Sequence, residues 1–310
     1  MLSRLTLDRY AIIFANALGD RVPPLPCHPK RLVFILAFAN HSWSSHTMRM
    51  IGKVESLWRY PVKSMRGEEM DELFAGYAGV YGDRLFAFKS SASRPGFPWF
   101  TAREQRQMLR YQPRFRYPEK AARPINLAEA EKLPPGANPI SANPSELMID
   151  VETPSGEAIA IDDPALIEML RQGGNENHEL TLLRSDRAMT DCRPLSLFAI
   201  QSAKRLEEET STTVDKRRFR ANVYLDLGSA DGFAENQFVG QSLRIGTKVV
   251  VAILDRDPRC MMITLDPDTA EKTPAILKAV AQAHEGFAGI YGAILSEGVI
   301  KRGDSVELLN

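Results

Sequence analysis

From Met50 onward the chain is written in short apolar runs cut at close intervals by glycine and proline. Runs of that length are too short for a helical bundle and suit strands joined by tight turns. Ile51 to Tyr60 alternates and predicts a strand, ended by Pro61; Glu69 to Phe74 predicts another, and Leu85 to Phe88 a third after Gly76, Gly79 and Gly82. Leu147 to Val151 and Ala158 to Ile161 flank Pro154-Ser-Gly156 as a hairpin. Asn222 to Leu227, Val249 to Leu254 and the closing Leu308-Leu309 continue the pattern. Asp255, Asp257 and Pro258 predict the end of one strand and Met261 to Leu265 the next, so that Cys260 sits in a turn between two strands. Helices are predicted only over Ala165 to Arg171, about Ile200 to Glu209, and Ala275 to His284. The expected class is mainly β with a few helices (α+β), built from β-barrel or sandwich units.

A length of 310 residues allows two domains, and Gly173-Gly174 after the first helix marks a boundary, giving 50–172 and 173–310. Residues 1–49 differ. They hold a proline cluster and the apolar run Arg31 to Ala39, which is shorter than the ~20 residues that span a bilayer. A poorly ordered extension is expected there, with no membrane role. Lys+Arg and Asp+Glu balance at 39 each, so the basic excess of a nucleic-acid binder is missing. Cys27, Cys192 and Cys260 lie far apart, without metal-finger spacing or a disulfide framework, as in a reduced, cytoplasmic protein. Three thiols also fall short of the four that hold an iron–sulfur cluster.

Four cationic motifs fall at strand ends or turns: Tyr60-Pro-Val-Lys63-Ser64, Gly82-Asp-Arg84, Arg218-Phe-Arg220-Ala-Asn222-Val, and Arg259-Cys260. Each charge taken alone is an ordinary solvated residue. Converging cations suit an anion, above all a phosphate. A cation beside a thiol favours thiolate, although a lone cysteine is more often structural.

In this order, with Thr101-Ala-Arg103, Phe238 to Gly246 and the Thr264-Leu-Asp-Pro-Asp-Thr269 stretch, the motifs resemble the MOSC family, the molybdenum-cofactor sulfurase C-terminal domain proteins, over residues 50–310. The resemblance implies a MOSC N-terminal β-barrel domain followed by a MOSC β-barrel domain, in the layout of the bacterial and mitochondrial amidoxime-reducing branch. It implies a molybdenum cofactor (molybdopterin) whose metal is ligated by Cys260. It implies cofactor contacts at Lys63, Ser64, Arg84, Arg220 and Arg259, at Asn222 and Tyr291, and in the loop of Asp191, Cys192 and Arg193. It implies reduction of small N-hydroxylated substrates with electrons from a separate donor protein of ferredoxin, flavoprotein or cytochrome type, and, at family level only, pyridoxal phosphate binding. Two other readings stay open: a non-redox cofactor-binding or sulfur-carrier protein using a Cys260 persulfide, and a β-barrel interaction protein with a vestigial site.

Overall fold

The computed structural model describes residues 48–93, 96–130, 132, 143–172 and 179–309. The expected extension over residues 1–49 lies outside them, save for Met48 and Arg49. Among the described residues no helix is long and apolar enough to cross a membrane.

The centre is a closed barrel of seven strands: β1 (Arg49–Arg59), β2 (Leu195–Ala199), β3 (Val223–Asp226), β4 (Ser242–Ile245), β5 (Val249–Pro258), β6 (Phe287–Ser296) and β7 (Ser305–Leu309). The order is β3-β2-β6-β5-β4-β7-β1, and β1 closes the ring on β3. Only β2 and β3 run parallel. Closure removes every exposed edge. The sheet bends at β1, where register shifts fall between Met50 and Gly52 and between Val54 and Ser56. Gly52 is required there, because a Cβ would stand 2.3 Å from the Asp226 carbonyl oxygen.

Alternation sorts the side chains. Leu57, Leu197, Val223, Leu225, Val251 and Ile290 fill the barrel. Phe198 and Tyr224 point the other way, onto Phe219, Leu206, Ile276 and Val280, beneath the helices Ile200–Thr210 and Pro274–Ala283. Burial on both faces explains why apolar residues stand at successive positions, Leu197-Phe198-Ala199 in β2 and Val223-Tyr224-Leu225 in β3. A separate core, with Val62, Phe86, Phe88, Met108, Ile149 and Leu166, lies among smaller sheets formed mainly by the first stretch of the chain.

The two stretches of sequence are laced together. The first supplies β1 to a barrel whose other six strands come from the second. Its strand Glu72–Gly76 pairs with Gly298–Lys301, and its strand Phe86–Ser90 pairs with Leu180–Arg184. The run Glu69 to Phe74, expected as one strand, is two: Glu68–Met70 pairs with β1, and the chain turns at Asp71.

Two further expectations are corrected near the cysteine. β5 does not end at Leu254 but runs to Pro258, through register shifts at Ile253/Asp255 and Arg256/Pro258. Its inward residue in that part is Asp257, a carboxylate in place of an aliphatic, so hydrophobic patterning misses it. Proline is tolerated in the last position, where its absent N–H breaks nothing further. Met261–Thr264 is a 3₁₀ turn rather than a strand, with Cys260 as its N-cap residue and Thr264 Oγ1 donating to the Met261 carbonyl at 2.7 Å.

Asn222 clasps the barrel at its closure. Its Oδ1 accepts from Ser196 Oγ at 3.1 Å, its Nδ2 donates to the Trp58 carbonyl at 3.3 Å, and Trp58 N–H donates to its carbonyl at 2.9 Å. Asn222→Ala would remove the acceptor of the Ser196 hydroxyl and the donor to the Trp58 carbonyl, while the backbone bonds of residue 222 remain. Urea denaturation should show a loss of roughly 2 kcal/mol; an unchanged midpoint would contradict the clasp.

Candidate functional site

The Tyr-Pro-Val-Lys and Gly-Asp-Arg motifs form one clip at the end of β1. Tyr60 N–H donates to Asp83 Oδ1 at 2.8 Å, Arg84 N–H donates to the Tyr60 carbonyl at 2.7 Å, and Lys63 N–H donates to the Phe86 carbonyl at 2.9 Å. Asp83 Oδ2 holds the Arg84 guanidinium at 2.5 Å. Ser64, Arg84 and Arg220 all adopt left-handed backbone, with φ of 66°, 42° and 52°. Each such conformation in a residue with a Cβ costs on the order of 1 kcal/mol and persists where its surroundings fix it. Three motif residues are therefore held in strained positions.

The second stretch meets this clip directly. Arg84 Nη2 donates to the Arg220 carbonyl at 2.9 Å, and the guanidiniums of Arg84 and Arg220 lie 4.5 and 4.3 Å from the centre of the Tyr60 ring. Burial pulls the Arg220 pKa down to about 10, and the neighbouring Arg84 cation adds to this, while Tyr60 and Asp83 oppose it. Arg220 is still a cation near neutrality. Its Nη2 has no hydrogen-bond partner among the described residues. Lys63, 7% exposed, donates from Nζ to the Met189 carbonyl at 2.9 Å and pairs with Asp191. Burial pulls the ammonium down, with Arg84 and Arg220 adding to the effect and Asp191 opposing it. Asp191 shows the reverse balance: burial would raise it, but Lys63, then Arg103 and Arg84, hold it below the usual carboxylate range.

Arg259 braces this arrangement. Nε donates to the Ala288 carbonyl at 2.6 Å, Nη1 to the Phe219 carbonyl at 2.9 Å, and Nη2 stands 2.8 Å from Asp257 Oδ2. Room for it comes from Gly289 (φ 84°), where a Cβ would stand 2.9 Å from the Leu197 carbonyl oxygen and 3.0 Å from Arg259 Nη2. Asp257, 2% exposed, is driven up to about 7 by burial, against the pull of Arg259 and a hydrogen bond from Tyr291. Burial and the Asp257 charge push the Tyr291 phenol well up in turn. Cys260, next to Arg259, is half-buried, and Arg103 Nη2 stands 3.3 Å from its Sγ.

Of the residues picked out in the sequence, Lys63, Ser64 and Arg84 share one clip, and Arg220 is stacked into it. Tyr291 and Arg259 join it through Asp257, which lies within electrostatic reach of Asp191 and Arg84. Arg103 joins Cys260 to Asp191 in the same way. Asn222 is engaged in the barrel clasp. Arg193 ion-pairs with Asp255 at 2.9 Å, and Cys192 beside it is half-buried. Sequence reasoning placed Asp191 only in a cofactor-lining loop, and it did not assign roles to Tyr60, Arg103 or Asp257. For Arg103 the Thr-Ala-Arg motif carried a signal; for Asp257 nothing in a run of alternating charges marked which carboxylate is buried.

The donor set fits an anionic metal cofactor. It offers one soft thiol for a metal, cations from both stretches of chain, and a buried guanidinium nitrogen still without an acceptor. Among the described residues no three His, Cys, Asp or Glu side chains cluster to hold a metal ion by themselves.

A family profile described as the MOSC domain matches residues 184–307, and one described as the MOSC N-terminal beta barrel domain matches residues 51–120. No curated protein matches the chain. Among solved structures, the YuaD protein from Bacillus subtilis is 14% identical, with 85% of this chain and 98% of that one covered and a TM-score of 0.43. YiiM from Geobacillus stearothermophilus is 22% identical over 38% of this chain and 55% of its own, with a TM-score of 0.31. At these levels the neighbours add nothing to the reading of the site.

Asp257 makes the site visible in stability measurements. Its pKa rises from 3.8 in the unfolded chain to about 7 in the fold, so the folded chain binds this proton more tightly. Its contribution is complete below the unfolded value and is lost as pH rises through about 7. Urea denaturation across that window should show wild-type stability falling relative to Asp257→Asn as pH rises; parallel pH curves would contradict the assignment.

Proposed function

We propose that this chain, which belongs to the family of MOSC-domain proteins preceded by a MOSC N-terminal β-barrel domain, holds a molybdenum cofactor and reduces N-hydroxylated small molecules. The observation that carries the reading is the convergence of Lys63, Arg84 and Arg220 on one buried position, with a guanidinium donor left over, within reach of the groups around Cys260. Buried like charges repel and are retained where an anion compensates them.

Cys260 would supply the thiolate to the metal. Lys63, Ser64, Arg84 and Arg220 would hold the anionic part of the cofactor, Arg259 would fix the Phe219 carbonyl and thereby the Arg220 turn, and Arg103 would orient the sulfur. When bound, the cofactor supplies two-electron chemistry at its metal. The overall conversion takes an N–OH compound, two electrons and two protons to the N–H compound and water. The electrons come from a separate donor protein. Asp257, held near neutrality and bonded to Tyr291, can keep a proton next to the site, and Asp191 keeps Lys63 in place.

The test uses the full chain purified from cells that make the cofactor. With a chemical electron donor it should reduce an N-hydroxylated amidine, and Cys260→Ser should lose turnover to background, because a serine hydroxyl keeps its proton near neutral pH. Equal turnover in the variant would refute the role of the thiol. Cofactor bound without turnover, together with a persulfide on Cys260, would favour the non-redox reading instead. Separately, Lys63→Ala and Arg220→Ala should each weaken cofactor retention about tenfold or more, as loss of a charged hydrogen-bond donor does. Molybdenum content after gel filtration measures this, and retention equal to wild type would remove these residues from the cofactor site.

A further inference from the structure

The stretch 103–111 runs alongside the stretch that begins at Cys260. Arg103 Nη2 stands 3.3 Å from Cys260 Sγ. Met108 and Leu109, the buried face of the 3₁₀ turn Arg106–Arg110, share a core with Leu265, and Met261 and Met262 pack against that core. At the far end the Tyr111 carbonyl accepts from Arg66 N–H at 3.0 Å, and the Arg66 side chain pairs with Asp268 at 3.2 Å. With Met108 and Leu109 turned inward, Arg106 and Arg110 are exposed, as is Arg103. A fourth exposed cation, Lys89, lies directly across from Trp99 in the pair of strands Phe86–Ser90 and Trp99–Phe100. Side chains directly opposed across such a pair share a face, and the centre of the Trp99 ring is 5.8 Å from Lys63 Nζ. Exposed cations therefore stand beside Cys260 and beside Lys63.

The acids nearby are already engaged. Asp268 is shared by Arg66 and Arg217, and Asp266 pairs with Arg218 at 3.1 Å. Glu104 turns its Oε2 back onto Thr101, accepting from the N–H at 2.9 Å and from Oγ1 at 2.7 Å. Among the described residues no carboxylate ion-pairs with Lys89, Arg106 or Arg110, and Arg110 donates instead to Gln107 Oε1 at 3.3 Å. Acidic and basic residues balance at 39 each over the whole chain, so this positive excess is local. A single exposed arginine is ordinary. Several of them, unmatched by acids and ranged along the segment that touches the thiol, form a face of one sign.

We propose that this face docks a small redox protein whose own centre is ringed by carboxylates, and that electrons enter the site across it. The proposal rests on the reductase reading, which requires a separate donor. Electron tunnelling falls steeply with distance, so a donor has to seat close to Cys260 rather than elsewhere on the barrel. Docking also has to be brief. A one-electron carrier is oxidised by one electron at each visit, and two visits with two protons take the N–OH compound to the N–H compound and water. Small interfaces steered by complementary charge suit such encounters, because they raise the rate of meeting without holding the partner.

The experiment is calorimetric titration of the full chain, purified from cells that make the cofactor, with two acidic one-electron carriers, a plant-type ferredoxin and a flavodoxin. At ~20 mM salt at least one should bind, and ~300 mM salt should weaken that binding about tenfold or more, because exposed charges are screened. The double variant Arg106→Glu/Arg110→Glu should weaken binding about tenfold at low salt. Lys301→Glu/Arg302→Glu makes the same change of charge in the exposed turn before β7 and should leave binding within about twofold of wild type. Turnover of an N-hydroxylated amidine by the reduced carrier should fall in step in the first variant, while turnover with a chemical donor stays at the wild-type level. No binding of either carrier at low salt overturns the proposal. So does binding indifferent to salt, an equal loss in both double variants, or an equal loss with the chemical donor, which would put these arginines in the chemistry rather than in docking. A chain that reduces the amidine with the chemical donor yet binds neither carrier sinks the docking face alone. A chain without molybdenum or turnover sinks the reductase reading, and carrier binding through Arg106 and Arg110 would then still decide for the docking face.

Discussion

Two guanidiniums packed on one buried tyrosine ring set the terms for the rest of this structure. Arg84 arrives from the first stretch of chain and Arg220 from the second; both lie against Tyr60, and Arg84 donates to the Arg220 backbone carbonyl. Burial in a poorly solvated place pulls the Arg220 pKa down to about 10, and repulsion from the Arg84 cation adds to it. The fold bears that strain through geometry. Left-handed backbone at Arg84 and Arg220, the Asp83 carboxylate and the Arg259 brace leave these side chains little freedom to swing into water. The closed barrel is the stiff part that makes this possible, because β1, which ends at the clip, is also the strand that completes the ring.

Much of the fold was legible in the sequence. Period-2 runs and Gly/Pro punctuation locate most of the barrel strands, and the three main helices come out within a residue or two. What escaped was set by partners distant in sequence. β5 passes through Asp255, Asp257 and Pro258 because β6 pairs with it across three irregularities. Cys260 caps a 3₁₀ turn because Arg259, next to it, is tied to the Phe219 and Ala288 carbonyls. In the site, the motif cations were readable as a set. Their division of labour was not: Asn222 clasps strands and Arg259 braces carbonyls, while Asp257, which tunes the charges, looks in sequence like any other surface acid.

The arginine-rich segment 216–220 faces two ways. Arg220 turns toward Tyr60 and Arg84, while Arg217 holds Asp215 and Asp268 and Arg218 holds Asp266. The segment's conformation depends on the buried hydrogen bond from Ala221 N–H to the Tyr224 hydroxyl and on Tyr224 donating to the Lys216 carbonyl. Stacking of Phe198 on Phe219 at 4.1 Å secures the turn from below. The helical layer over the barrel therefore holds this turn in place.

The central claim is that the buried cations are there for an anionic molybdenum cofactor anchored on Cys260. The most direct measurement is the amount of molybdenum and of pterin in the purified full chain, expressed in cells that make the cofactor. The account predicts both in equal amounts, near one of each per chain. A folded, pure chain carrying neither would contradict it.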